Sequence, residues 1–294
     1  MSVRHPQVAT SEPYKVGTGK CFGTFGELLQ GVLPEGERNF LVTFPIACYS
    51  YATFTYESGM NGVEVTPFYK RKSKKLAEIL LAELGLPPSG RLHIESDLPK
   101  GKGLASSSAD LVATARAIET CLGETISSDG VMYSGIVSFF QCEVQLKEFI
   151  GHLPPLTIVS IDEGGEVDTI HFNQVPKPFG REESEEFRLL LDKLSEAIRC
   201  RDLPTIGEVA TRSAILNQKV RPKQHLEKVI EISRESGGLG VAVAHSGTYI
   251  GVLLADDDPE YNPKLEAVKR QLGQLSTDVF VYHTINFEEE GKAR

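Results

Sequence analysis

The segment Leu98-Pro99-Lys100-Gly101-Lys102-Gly103-Leu104-Ala105-Ser106-Ser107-Ser108 does most to limit what this chain can fold into. Ahead of it, residues 91–97 (RLHIESD) alternate apolar and polar side chains, the period of a half-buried strand. Behind it, Leu111, Thr114 with Ala115, Ile118 and Leu122 recur at helical spacing, so a helix is expected over about 107–122. A glycine-rich link from strand to helix lets backbone N–H groups approach an oxyanion closely, and the helix N-terminus adds partial positive charge. Ser106 and Ser107 can cap the helix or offer hydroxyl ligands, and Lys100 and Lys102 add charge. Two commoner phosphate motifs are excluded. No GxxxxGK[ST] string occurs, and the position three after Gly103 is Ser106, where a dinucleotide fingerprint needs glycine. On these residues alone, a plain strand-to-helix turn with serine caps is the simpler reading.

The rest of the chain mixes strands and helices without strict alternation, which makes the class α+β. Residues 1–16 read as a loose lead-in. Residues 40–56 are β-branched and aromatic, one or two strands, and 63–68 is a short strand. Leu76, Ile79, Leu80 and Leu84 mark a helix over 73–84 that Pro87-Pro88 ends. A second unit begins near Leu153, giving domains 1–152 and 153–294. Its opening reads as two strands around a turn at 163–166, where Asp162 and Glu163 form an acidic pair that reads as solvated, with a magnesium or substrate role as the alternative. Helices follow at about 183–200, 204–217 and 222–236, the last closed by Gly237-Gly238. VAVAHSGTYIGVLLA reads as a hairpin turning near Ser246-Gly247, and a helix over 264–272 and a strand over 278–285 complete the chain.

Composition narrows the function classes. A net charge of −9 argues against a nucleic-acid binder, which needs a surplus of Lys and Arg. The one dense basic run, Lys70, Arg71, Lys72, Lys74 and Lys75, reads as a solvated helix start. The five cysteines are odd in number and none form a CxxC pair, so a reducing, cytoplasmic location is expected, with neither disulfides nor structural zinc. The N-terminus lacks the apolar stretch of a signal peptide, and no apolar run is long enough to span a membrane.

Two further segments change the reading of the loop. Gly19-Lys-Cys-Phe-Gly-Thr-Phe-Gly-Glu-Leu-Leu-Gln-Gly31 precedes it, and Ala244-His-Ser-Gly-Thr-Tyr-Ile-Gly251 follows it. In that order the three resemble the motifs of the GHMP kinases (galactokinase, homoserine kinase, mevalonate kinase, phosphomevalonate kinase), with PxGxGLxSSxA as the second. The resemblance implies a two-domain fold, an N-terminal domain like ribosomal protein S5 and a ferredoxin-like C-terminal domain. It implies transfer of the γ-phosphoryl of ATP, with Mg²⁺, to a small-molecule alcohol. It gives Pro99 through Ser108 the role of nucleotide cradle, and Ser107 that of magnesium contact. Asp129 matches an acidic residue that several members place near the acceptor hydroxyl, where it can take the proton; its other reading is a turn residue before Gly130. Glu27 can pair with the ammonium of an amino-acid substrate or sit as a carboxylate at a helix start near 28–30. Gln30 can bond the substrate carboxylate. His245, Ser246, Gly247 and Thr248 approach the acceptor site, although His245 also reads as an ordinary hairpin residue.

Within the family, CFGTFGELLQG, SDGVMYSG and LPPLTIVSIDEGGEVDT are most similar to the L-threonine kinases, which make O-phosphothreonine for the aminopropanol linker of cobalamin. Homoserine or another small alcohol is the alternative acceptor, and a nucleotide- or metabolite-sensing module without turnover is the alternative of another class. Two departures stand out. Ala105 replaces the usual glycine, which is tolerable where φ is negative. Only residues 124–128 separate Gly123 from Asp129, too few for the helix that the family has there, so no second magnesium ligand is named. Oligomeric state stays open, a homodimer being one option.

Overall fold

A computed structural model describes residues 14–126, 132–166 and 177–290. In chain order the strands are β1 (Tyr14–Leu33), β2 (Arg38–Glu57), β3 (Gly62–Thr66), β4 (Ser89–Ser96), β5 (Ile136–Phe140), β6 (Gln145–Gly151), β7 (Leu156–Asp162), β8 (Gly240–Val243), β9 (Tyr249–Ala255) and β10 (Val279–His283). The helices are α1 (Arg71–Glu83), α2 (Ser106–Leu122), α3 (Arg181–Cys200), α4 (Leu203–Leu216), α5 (Leu226–Glu235), α6 (Tyr261–Leu272) and the single turn α7 (Phe287–Glu290). Among the described residues, no helix is long and apolar enough to cross a membrane.

The described residues fall into two compact units, each discontinuous in sequence because β1 and β2 contribute one half to each. The first unit takes residues 14–21, 51–95 and 110–126. Its strands run in the order β1-β2-β4-β3, with β3 parallel to β4. The expected alternation of β4 is borne out: Leu92 and Ile94 point inward between exposed Arg91, His93 and Glu95. Helix α2 lies against β1 so closely that a Cβ on Gly17 would sit 2.1 Å from the Cys121 nitrogen, and one on Gly19 2.1 Å from the Ala113 oxygen. Small residues at Ala113, Ala117 and Cys121, one turn apart, make that approach possible. In the same unit the Lys70 ammonium donates to Asp110 at 2.6 Å.

The second unit takes residues 22–50, 96–109, 132–166 and 177–290. Its strands run β10-β7-β9-β8-β1-β2, with β5 paired to β2 and β6 to β5. Helices α4, α5 and α6 bury an apolar face on β7, β8 and β9; Ala214, Leu226, Val229, Ile232, Val268 and Leu272 meet Val159, Ile161, Val241, Val243, Ile250 and Val252. At the start of α4 the Asp202 carboxylate accepts the Thr205 N–H at 3.2 Å, a side-chain N-cap.

Two expectations change here. The loose lead-in gives way to strand at Tyr14, residues 1–13 lying outside the described part. Residues 28–30 are strand, so Glu27 does not begin a helix. The hairpin of β5 and β6 had no clear sequence signal, whereas the hairpin of β8 and β9 turns where the Ser246-Gly247 pair predicts. The second strand expected after the 163–166 turn falls largely on 167–176, outside the described residues.

Candidate active site

Three sequence segments meet in the second unit through their backbones. The Thr24 N–H donates to the Leu104 carbonyl at 3.3 Å, and the Gly26 N–H donates to the Gly103 carbonyl at 3.2 Å. From the turn between β8 and β9, the Thr248 N–H donates to the Lys102 carbonyl at 3.1 Å. Contact this close needs glycine. A Cβ on Gly247 would lie 2.0 Å from the Lys102 oxygen, and one on Gly103, whose φ is +84°, would lie 2.6 Å from the Ala244 methyl. The first, second and third motif segments therefore share one small volume, although some 80 and 140 residues of chain separate them.

These contacts use the carbonyls of the loop and leave its amides. Among the described residues, no acceptor receives the N–H groups of Gly103, Leu104, Ala105, Ser106, Ser107 or Ser108. The first intrahelical bond of α2 runs from the Ala109 N–H to the Ala105 carbonyl at 2.9 Å. Six successive amides at the N-terminus of a 17-residue helix fit a polyphosphate in number and in sign. Leu104 is fully buried and anchors the loop; Pro99, Gly101, Ser106 and Ser108 are half-buried, while Lys100 and Ser107 are exposed. Ala105 has φ +56°, so the negative φ that would make its methyl harmless is not what the loop adopts.

Lys102 turns away from solvent. Its ammonium pairs with Asp162 at 2.6 Å and donates to the Gly165 carbonyl at 2.8 Å. Burial pushes the Asp162 carboxyl up. Hydrogen bonds from Lys102 and the Gly164 N–H, with the Lys102 charge, more than reverse this and hold it below its ordinary value. The neighbouring Glu163 accepts from the His225 N–H at 2.8 Å and lies 3.2 Å from the His225 ring nitrogen. Asp162 and Glu163 are thus engaged and largely buried, and do not form the solvated pair that the turn suggested.

Glu27 reaches the third segment from β1. Its Oε2 lies 3.0 Å from Nδ1 of His245 and accepts the His245 N–H at 3.3 Å. On the other side of the ring, Nε2 lies 3.0 Å from the Ser213 hydroxyl, and that oxygen also accepts the Gln30 N–H at 3.2 Å. Each ring nitrogen of His245 therefore has a partner, a carboxylate oxygen at Nδ1 and a hydroxyl that can donate or accept at Nε2. His245 is 3 % exposed. Gln30 is buried as well; Asn217 donates to its carbonyl at 2.8 Å, and its side-chain oxygen has no partner among the described residues. Ser246 is half-buried at the turn, and Gly247 and Thr248 are buried. Asp129 lies outside the described residues.

Sequence reasoning missed Lys223 and Arg221. Lys223 is 4 % exposed, and its ammonium donates to the carbonyls of Ala244 at 2.8 Å and Gly247 at 2.5 Å. Burial above all, then the Arg221 charge, lowers its pKa to about 8, against the opposing pull of Glu163, Glu27 and Asp162. Arg221 Nε donates to the same Gly247 oxygen at 2.9 Å. In sequence, Lys219, Arg221 and Lys223 look like one solvated basic stretch before α5, and nothing in their spacing singles out the buried member. Among the described residues no group of three His, Cys, Asp or Glu side chains could hold a metal ion. The exposed hydroxyl of Ser107 in the first turn of α2 remains a candidate magnesium contact.

A family model of the GHMP kinases N terminal domain matches residues 71–137, which include the loop and α2. The chain is 25 % identical over 253 residues to an L-threonine kinase of Citrobacter freundii, covering 81 % of this chain and 86 % of that one. It is also 25 % identical over 257 residues to an L-threonine kinase of Salmonella typhimurium, covering 81 % and 83 %. Residues 71–137 thus resemble the N-terminal domain of the GHMP kinases, and most of the chain is similar to L-threonine kinases. Its fold is that of these kinases: a homoserine kinase from Cytophaga hutchinsonii superposes with a TM-score of 0.65 at 16 % identity, covering 96 % of this chain and 97 % of that one.

Proposed function

We propose that this protein is an ATP-dependent kinase that phosphorylates the hydroxyl of L-threonine to O-phospho-L-threonine. The observation that carries the reading is the row of unpaired amides from Gly103 to Ser108, joined by backbone bonds to the first and third motif segments. ATP, with Mg²⁺, would supply the phosphoryl group. The residues present fit both: six amides and a helix N-terminus for the phosphates, and the exposed Ser107 hydroxyl for the metal. Pro99 through Lys102 complete the cradle. Transfer of this kind depends mostly on positioning and charge neutralisation, and the chain is built for positioning. Glu27, which accepts the His245 backbone N–H and lies 3.0 Å from its Nδ1, is a fixed and partly exposed carboxylate suited to an amino-acid ammonium. Gln30, Ser246, Gly247 and Thr248 complete the acceptor side in this reading, and Asp129 takes the hydroxyl proton.

Similarity to two L-threonine kinases supports threonine over other acceptors. The product would suit the aminopropanol linker of cobalamin, made in the cytoplasm. In family terms, residues 1–152 would be the nucleotide-binding domain and 153–294 the C-terminal domain, although by compactness the loop groups with the C-terminal helices.

The test is ADP release with MgATP and a panel of threonine, serine, homoserine, mevalonate and galactose, with the product identified by mass spectrometry. Threonine is expected to give the highest kcat/KM and a product of the mass of O-phosphothreonine. Preference for homoserine would move the assignment within the family. ATP binding with no acceleration by any acceptor would leave a sensing module and end the kinase reading.

A further inference from the structure

Buried ammonium groups are costly to hold in the charged form, and hydrogen bonds to the fold are the usual compensation. Lys223 lacks the ordinary reason to be there. Both of its acceptors are already satisfied without it: the Ala244 carbonyl accepts the Gly247 N–H at 3.0 Å, and the Gly247 carbonyl accepts Arg221 Nε at 2.9 Å. An apolar side chain of the same length would leave no carbonyl unpaired. The place of the charge is more telling than its count of bonds. The Gly247 carbonyl and the Thr248 N–H are the two ends of one trans peptide and point in opposite directions. The carbonyl end meets Lys223 and Arg221; the N–H end meets the Lys102 carbonyl in the phosphate loop at 3.1 Å. Two cations on the oxygen fix the plane of that peptide. They also polarise it, which strengthens the N–H as a donor.

We infer that Lys223, with Arg221, is a positioning residue: a cationic latch that orients the Gly247–Thr248 peptide and thereby holds the glycine-rich loop in its anion-binding shape. The latch acts through the peptide, not by touching the nucleotide. It deepens the kinase reading, and its effect on ATP rests on that reading, while its effect on the loop does not.

Two measurements test it, on the full chain. Hydrogen exchange of the protein without nucleotide reads the loop directly. In Lys223→Met, peptides covering 98–108 and 244–250 are expected to exchange at least about fivefold faster while α3 and α6 keep their protection and the midpoint of thermal unfolding does not fall. Steady-state kinetics then read the site. KM for ATP is expected to rise roughly tenfold, the size of one charge-assisted hydrogen bond, with kcat at saturating ATP within about twofold of wild type. Arg221→Gln, which removes the other cation from the same oxygen, is expected to act in the same direction and covers the case in which Lys223→Met fails to fold. Unchanged exchange in the 98–108 peptides of a folded variant overturns the latch. So does a fall in thermal stability with kcat and KM worsening together, the mark of a merely structural lysine. If the wild type turns over no acceptor, the kinase reading fails, and the exchange experiment still decides the latch.

Discussion

Ala105 sits at φ +56°, where an L-residue with a Cβ is strained by about 1–2 kcal/mol and glycine is not. The strain lies at the N-cap of α2, between the fully buried Leu104 and the first turn of serines, so the backbone there is set by its neighbours. Ala105→Gly relieves the strain and gives back part of the gain through the greater freedom of glycine in the unfolded chain. The variant is expected to be more stable by about 0.5–1 kcal/mol, a rise of about 2 °C in the midpoint of thermal unfolding, with the loop shape unchanged. Differential scanning calorimetry of the two proteins checks this, and a lower midpoint would show that the methyl makes a packing contribution larger than its strain. The same residue shows what a sequence can and cannot tell at this scale. The exchange of glycine for alanine is visible in the string; the sign of φ is set by tertiary contacts and is not.

At the scale of elements, helical and β periodicity was readable wherever only one face of an element is buried. Helices α1 and α2, strand β4 and the hairpin of β8 and β9 follow their apolar patterns or turn residues. Strand β1 was not readable, because residues 21–33 are buried on both faces except for the partly exposed Glu27, so no alternation exists. Its glycines, which look like loop punctuation, mark where other backbone comes close. This makes a strong prediction for the contact between β1 and α2. In Gly19→Val, a Cβ 2.1 Å from the Ala113 oxygen must push the helix off the strand, since both atoms belong to regular backbone. A loss of about 3 kcal/mol or more is expected, at the upper end of overpacking costs, and denaturant unfolding measures it. A loss under about 1 kcal/mol would mean that α2 can slide on β1 without penalty.

The whole molecule explains why the loop alone was ambiguous and the set of three motifs was not. A strand-glycine-helix turn is common, and its partners are local. The Thr24, Gly26 and Thr248 amides that fix this one come from distant parts of the chain, so only the ordered recurrence of all three segments could announce the site. What no segment could announce is the set of cross-chain partners: Ser213 and Asn217 behind Glu27 and Gln30, and Lys223 behind Gly247. The same interleaving bears on how the chain can be divided. Residues 22–50 complete the unit that carries the C-terminal helices. Phe25 packs edge-on against Tyr249 with ring centroids 6.1 Å apart, Phe40 meets Phe187 at 6.4 Å, and Glu27 pairs with Val243 in the sheet. A fragment of residues 1–152 exposes both rings, each worth about 1.5–3 kcal/mol when buried, together with one edge of β1. That loss is comparable with the ~5–15 kcal/mol that holds a whole domain folded. The fragment expressed alone is therefore expected to aggregate or to give a collapsed amide NMR spectrum. A well-dispersed spectrum from residues 1–152 would show instead that the N-terminal half is an autonomous folding unit and that the interleaving is only a matter of contact.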